Sequence, residues 1–254
     1  MIFPSYLSWF VVAGCISTIA VVILGLNEAV RRAGWGRGER RLTVSTAATL
    51  LVGWFALAVA LGFSGVYRGT SARLPTIEIG ILIPILIGCV AIWRSAALSR
   101  LIDATPRHWI IAVQAYRVEG VIFLILYATN LLPGVFALPA GAGDIATGLM
   151  GLAIGISAAR GRQLRPRTVL MWNLFGIADL IVAITTGFLT SPSPLQRFAF
   201  DHPNQLISMF PLVLIPTFLV PLAILLHIIS LVQFGRATAR GHTGPVHADD
   251  PVRA

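Results

Sequence analysis

Long apolar stretches alternate with short polar connectors along almost the whole chain. Seven of these stretches are about 20 residues long, which is enough for a helix to cross the hydrocarbon core of a bilayer. They cover residues 6–26, 44–65, 76–93, 109–131, 136–159, 169–189 and 207–234. We therefore predict an all-α polytopic membrane bundle over residues 1–234. A cytoplasmic, disordered tail is predicted over residues 235–254, where Gly, His, Asp and Pro are mixed.

The composition excludes a soluble globular domain and makes the lipid bilayer the expected partner. Hydrophobic residues make up 56% of the chain and charged residues 11%, whereas soluble domains carry about 25% charged residues. The net charge of +9 does not indicate a nucleic-acid partner, because the arginines lie in connectors and form no basic face. All 19 basic residues are arginine. This usage indicates a GC-rich bacterial genome, and hence the bacterial inner membrane.

The arginines also predict the orientation of the bundle. Connectors one, three and five and the tail hold fifteen arginines, whereas the connectors on the other side hold three. Positive charge is retained on the cytoplasmic side during insertion, so the amino terminus is expected outside and the carboxyl terminus in the cytoplasm. Trp93, Trp109 and Trp172 fall near the predicted cytoplasmic ends, where an interfacial aromatic belt would place them.

The site prediction rests on three ionisable residues that lie inside predicted spans. Arg117 in span four and Asp179 in span six lie roughly 13 Å and roughly 16 Å from the cytoplasmic edge, at about 1.5 Å per residue. Asp144 enters span five from the outer edge, after a Gly- and Pro-interrupted stretch, residues 138–143, that can break the start of that helix. Charged groups in hydrocarbon cost at least about 2.5 kcal/mol each, so they turn inward and pair. The sequence therefore predicts an Arg117 cation flanked by Asp144 and Asp179.

Further polar residues complete the candidate substrate-binding set. Gln114 shares a helix face with Arg117, Glu119 points largely elsewhere, and Asn173 accompanies Asp179 in span six. In span five, a row of glycines at positions 148, 151 and 155 follows Asp144 and should pack closely against another helix. One arginine stands against three acids, so at least one acid is expected to be protonated or hydrated, as a proton-coupled site requires. The alternative is a buried network that only fixes helix packing.

The prolines of span seven and Glu78 of span three are interpreted separately from the candidate site. Pro211, Pro216 and Pro221 recur in span seven and predict a kinked helix, because each proline removes a backbone donor. Glu78 lies near the outer end of span three, where it can reach interfacial water.

No cofactor or metal is predicted. The sequence has no lysine for a retinal Schiff base, and both cysteines fall inside predicted spans. His227 in span seven and His108 at the start of span four could share a haem only if those helices pack together. We interpret them as hydrogen-bonded or interfacial histidines. The sequence contains no phosphate-binding loop, zinc-protease motif, nucleophile elbow or dinucleotide fingerprint.

A further pattern is formed by a set of residues in spans four and five. It consists of Gln114, Tyr116, Arg117 and Gly120, followed by Leu132-Pro133, Phe136-Ala137, Pro139-Ala140-Gly141, Gly143-Asp144 and Gly148. This pattern resembles that of uncharacterised bacterial multi-pass membrane proteins and covers about thirty-five residues. The resemblance implies a fold neighbourhood and no particular activity.

Our leading functional prediction is a small-solute or proton-coupled transporter or solute-binding bundle. In it Arg117 holds an anionic group or an acid, while Asp144 and Asp179 respond to protonation or substrate. An intramembrane enzyme would instead use Asp144, Asp179 and Glu119 on a lipid-like substrate, and a non-catalytic partner subunit or sensor would use the network for packing alone. A hydrated cavity reaching Arg117 favours transport, a lateral opening lined by acids favours catalysis, and a closed, dry network favours a structural role.

Overall fold

The computed structural model describes residues 5–70 and 76–242 and contains, within those ranges, seven helices long and apolar enough to cross a membrane. These spans are Tyr6–Arg32, Arg37–Ser64, Ile77–Arg94, Arg107–Ala128, Gly134–Ala159, Pro166–Thr190 and Ile215–Ala237. The first helix begins at Ser5, and the last runs over Val220–His242. The predicted all-helical, seven-span architecture is confirmed.

Successive spans run in opposite directions. We call the end of the bundle at which span one begins the amino-terminal end, and the end at which span seven finishes the carboxyl-terminal end. A short helix, Ala96–Ala104, lies between spans three and four at the carboxyl-terminal end. Gln233 of span seven donates to the carbonyl of Ile102 in this helix, which ties the helix to the bundle.

Two predicted features of the helices are wrong. Span five is one continuous helix, Gly134–Ala159, although Pro139 lies inside it. Pro139 falls in the second turn, so it removes a single backbone hydrogen bond near the helix end. Span seven begins at Ile215 rather than at residue 207, because the residues before it form a 3-10 turn, Leu206–Ser208, followed by a bend and turns up to residue 213.

Span seven is irregular near its prolines, although Pro211 lies before the helix begins and the predicted kink stays a prediction. A single stretch of π-helix, Ile215–Leu219, contains Pro216 and precedes Pro221. Pro221 has no N–H to bond the carbonyl of Thr217, the acceptor four residues earlier. The indole nitrogen of Trp54 donates to that carbonyl at 3.2 Å, so the group freed by the proline is bonded from span two.

The final helix also extends beyond the predicted end of the membrane domain. Residues 235–242, assigned to the tail from sequence, are helical up to His242. The rest of the predicted tail, residues 243–254, lies outside the described residues.

Span four contains a 3-10 segment in its middle. Its α-helical ends, Arg107–Ala112 and Val121–Ala128, flank a 3-10 helix over Val113–Gly120. Such segments rarely exceed three or four residues and often mark functional or strained parts of a helix. Arg117 lies in this segment.

Span five packs closely on span four through its glycines. A Cβ atom on Gly148 would lie 2.9 Å from the backbone nitrogen of Val118, and one on Gly155 would lie 3.1 Å from the carbonyl oxygen of His108. The predicted small-residue face is therefore confirmed as a close helix contact, of the kind that membrane helices form through glycine. The same contact places the side chain of Asp144 against Gly120, where an added Cβ atom would lie 2.5 Å from the Cβ atom of Asp144.

Aromatic residues lie both in the core and on the outside. Phe218 is fully buried and receives edge contacts from the rings of Trp54 and Phe55. Trp93 is 71% exposed, as expected for a side chain facing lipid. Trp172 contradicts the predicted aromatic belt, because it is buried and its indole nitrogen donates to the carbonyl of Thr147 at 3.0 Å.

Candidate functional site

A buried ion cluster lies near the middle of the bundle. The Nε atom of Arg117 donates to Oδ1 of Asp144 at 2.7 Å, and one of its terminal nitrogens donates to Oδ2 of Asp179. The Arg117 side chain is 2% exposed, against 13% for Asp144 and 7% for Asp179. Each residue lies near the middle of its span. The predicted pairing of Arg117 with both aspartates is confirmed.

The other terminal nitrogen of Arg117 has two further partners. It lies 3.3 Å from the carbonyl oxygen of Gly176 and 3.1 Å from Nε2 of His227. Four of the five N–H groups of the guanidinium therefore have acceptors. We call Arg117, Asp144, Asp179 and His227 the charge cluster. His227 was not predicted as a member of this cluster, although its position well inside span seven was a signal.

Hydrogen bonding fixes the tautomer of His227. The amide nitrogen of Asn173 donates to the carbonyl of Val169 at 2.8 Å and contacts the hydroxyl of Ser230 at 3.1 Å, which leaves its oxygen facing Nδ1 of His227 at 2.9 Å. An amide oxygen only accepts, so Nδ1 carries the hydrogen. Nε2 then has a free lone pair and accepts from Arg117. Both ring nitrogens are occupied, so His227 has no lone pair free for haem or a metal.

Four glycines make room for the ionisable side chains in this part of the bundle. At each of them, an added Cβ atom would overlap or crowd one of these side chains. The pairs are Gly120 with Asp144, Gly143 with Asp179, Gly176 with His227, and Gly14 with Glu119. The packing of the neighbouring helices is therefore matched to the positions of the charges.

The structure separates the remaining predicted site residues from the ion pairs. Gln114 is fully buried, but its amide nitrogen donates to the carbonyl of Ala223 at 3.0 Å instead of to a carboxylate. Glu119 points away from Arg117, as predicted, and packs against Gly14 of span one. Asn173 reaches Arg117 only through His227.

Two cavities meet at Asp144. The first, of about 30 Å³, is lined by Arg117, Glu119 and Asp144 and extends to Phe10 of span one. The second, of about 50 Å³, is lined by Asp144 and reaches Glu78 and Ser191. We call them the Glu119 cavity and the Glu78 cavity. Each is large enough for a few water molecules and far below the roughly 300 Å³ of a typical small-molecule pocket.

The two sides of the charge cluster differ. Both cavities lie between Asp144 and the amino-terminal end, where spans one, three and seven begin and span six finishes. Toward the carboxyl-terminal end, Asn173, His227 and Ser230 are buried and bonded to one another. Gln114 and Thr147 are also buried on this side, and one side-chain oxygen of each has no hydrogen-bond partner among the described residues. Asp144 thus borders the two cavities on one side, while buried polar side chains fill the other.

The two carboxylate oxygens of Asp144 differ in their hydrogen bonding. Only Oδ1 receives the Arg117 donor, and within the part of the chain that the structure describes Oδ2 has no hydrogen-bond partner. Asp144, unlike Asp179, is among the lining residues of both cavities. Asp144 is therefore the cluster member best placed to exchange a proton with water.

Comparison with known proteins gives a family and no activity. A family described as "Domain of unknown function (DUF8737)" matches residues 74–234. The chain belongs to this family. The matched region contains spans three to seven, and with them the whole charge cluster, whereas spans one and two lie before it. No curated protein and no solved structure matches the chain.

Proposed function

We propose that this member of the family is a proton-coupled membrane transporter and that Asp144 is its proton-binding residue. The observation that carries the proposal is the position of Asp144, which holds Arg117 with one oxygen and borders both water-sized cavities with its side chain. We also propose that the amino terminus lies outside the bacterial inner membrane, on the basis of the arginine distribution.

Charge balance supports a role for one exchangeable proton. With both carboxylates ionised, Arg117, Asp144 and Asp179 together carry one net negative charge in the hydrocarbon region. Binding one proton makes the group neutral. Because a net charge at this depth costs several kcal/mol, a cluster of this composition takes up or releases a proton with a change in stability, which can be coupled to a conformational change.

The cavity volumes support a proton, and not a larger solute, as the species bound in this conformation. Spaces of about 30 Å³ and 50 Å³ hold a few water molecules. Any coupled solute would need a wider opening. The 3-10 segment Val113–Gly120, which carries Arg117, is the part of span four with the weakest helical hydrogen bonding and is the element we propose to move.

A packing role is the second candidate, and one observation favours it. Arg117 is bonded by four acceptors and is 2% exposed, which is the arrangement expected of a network that fixes helix register. The two roles differ in one respect. A packing network needs the charges, whereas proton transfer also needs water to reach Asp144.

Proton flux in proteoliposomes tests the proposal. A potassium diffusion potential drives protons inward, a trapped pH-sensitive dye reports them, and the assay is repeated with a panel of small solutes. We expect flux above that of empty liposomes and its loss in Asp144→Asn, with flux retained in Glu39→Gln, which changes a half-exposed acid paired with Arg100. Absence of flux under every condition, or equal flux in Asp144→Asn, would overturn the proposal.

A further inference from the structure

The Glu78 cavity has a carboxylate at each end. Asp144 lines its inner end, near the middle of the membrane. Glu78 and Ser191 line its other end, where span three begins and span six has just finished. Apolar side chains, including Leu180 and Ile184, line the space between them. The cavity therefore joins the buried charge cluster to the amino-terminal end of the bundle.

Local structure holds Glu78 at the mouth. Glu78 is in the first turn of span three, where the helix dipole favours a negative charge. Its neighbours Ile77 and Ile81 are buried at 7% and 5% exposure, and they anchor this turn in the core. Glu78 itself is partly exposed. A carboxylate so placed attracts cations to a narrow opening with low-dielectric walls.

The Glu119 cavity is a poorer route, because its outer end is apolar. It reaches the amino-terminal end through Phe10 and Val11 of span one. Its charged lining residues other than Asp144 are Glu119 and Arg117, and both lie near the middle of span four. It adjoins the Glu78 cavity, with which it shares Asp144 and four apolar lining residues. We regard it as water-holding space next to the cluster.

We infer that the Glu78 cavity is the path by which protons reach Asp144 from the amino-terminal end, and that Glu78 collects them at its mouth. This inference rests on the proposed function and names its access path. A proton passes from hydronium to the Glu78 carboxylate, then along water in the cavity to Asp144. No covalent bond other than O–H is made or broken.

Filling the cavity provides the first test. Ala183 lines the Glu78 cavity, and leucine there adds three carbon atoms to a space that holds only a few waters. Ala178, on the same helix, is exposed on the outside of the bundle and offers a matched control. We expect Ala183→Leu to lower proton flux about tenfold or more, because an apolar obstruction excludes water. Ala178→Leu should leave the flux within about twofold of the natural sequence.

Glu78 provides the second test. Glu78→Gln should lower flux by about tenfold at neutral pH, because the electrostatic attraction of cations is lost. Glu78→Cys, in a background with Cys15→Ala and Cys89→Ser, allows position 78 to be modified chemically after the protein has folded and been reconstituted. A cationic thiosulfonate reagent is then added to the assembled proteoliposomes. The unmodified variant should show the same loss as Glu78→Gln, and we expect the reagent to block the flux that remains, because it places a positive charge at the mouth; a reducing agent should reverse this block.

The outcomes separate this inference from the proposed function. If Asp144→Asn abolishes flux while Ala183→Leu and the modified Glu78→Cys variant conduct normally, the access path is wrong and the proton site stands. If Asp144→Asn conducts like the natural sequence, the proposed function fails first. Loss of flux in Ala183→Leu, together with reversible block at position 78, supports the path.

Discussion

Arg117 and Asp179 should respond very differently to neutralisation. Arg117→Gln leaves two carboxylates in the buried cluster without a cation. Removing one partner of a buried ion pair costs about 3–5 kcal/mol, because the remaining charge is uncompensated. Asp179→Asn leaves Arg117 paired with Asp144 and supplies an amide oxygen in place of the carboxylate. This change should cost about 1–2 kcal/mol, the usual range for a weakened buried hydrogen bond.

The predicted difference is therefore about 1–4 kcal/mol, which is roughly fivefold to several-hundredfold in the unfolding equilibrium constant. It can be measured as the free energy of reversible unfolding in mixed micelles titrated with sodium dodecyl sulfate. Arg100→Gln is the matched control, since its pair with Glu39 is 65% and 44% exposed and should contribute little. Unfolding of Arg117→Gln like the natural sequence, or destabilisation of Asp179→Asn as large as that of Arg117→Gln, would show that Arg117 does not compensate two buried carboxylates.

Two further changes test the packing of the charge cluster. Gly143→Ala should destabilise the bundle by at least about 1 kcal/mol, because its Cβ atom would overlap the Asp179 carboxylate. Gly53→Ala, at a helical site with no atom within 4 Å, should be neutral or stabilising, and equal effects in the two melting curves would contradict this account. His227→Leu should cost about 1–3 kcal/mol, since Arg117 and Asn173 each lose a partner. Unchanged unfolding of this variant in the same micelles would show that the histidine is dispensable.

The pairing of Arg117 with its aspartates could be predicted because the depth of each ionisable residue can be counted within its own span. An ion at mid-membrane depth needs a counter-ion, and the sequence offers few candidates. The close contact between spans four and five was likewise predictable from the spacing of the glycines in span five. Both inferences need the membrane depth and the helix period, and neither needs the order in which the helices pack.

His227 and the cavities could not be predicted in the same way. The histidine joins the cluster because spans six and seven are neighbours and because Asn173 fixes its tautomer, and both are tertiary facts. Trp172 lies close to a predicted membrane edge, where a belt or a core position is possible. Its indole nitrogen donates a hydrogen bond to the carbonyl of Thr147, and this bond allows the side chain to be buried in the core. The residues before span seven are apolar, yet they form turns that the hydrophobic pattern does not distinguish from a helix.

If the proposed function is correct, Asp144 exchanges a proton with water inside the bundle. Infrared spectroscopy of the purified, full-length protein across a pH titration measures this directly, through the carbonyl stretch of a protonated carboxyl group. We predict a band that appears on acidification, is missing in Asp144→Asn and persists in Glu119→Gln, which lines the same space without bonding Arg117. A spectrum of Asp144→Asn that keeps every carboxyl band of the natural sequence would contradict the claim.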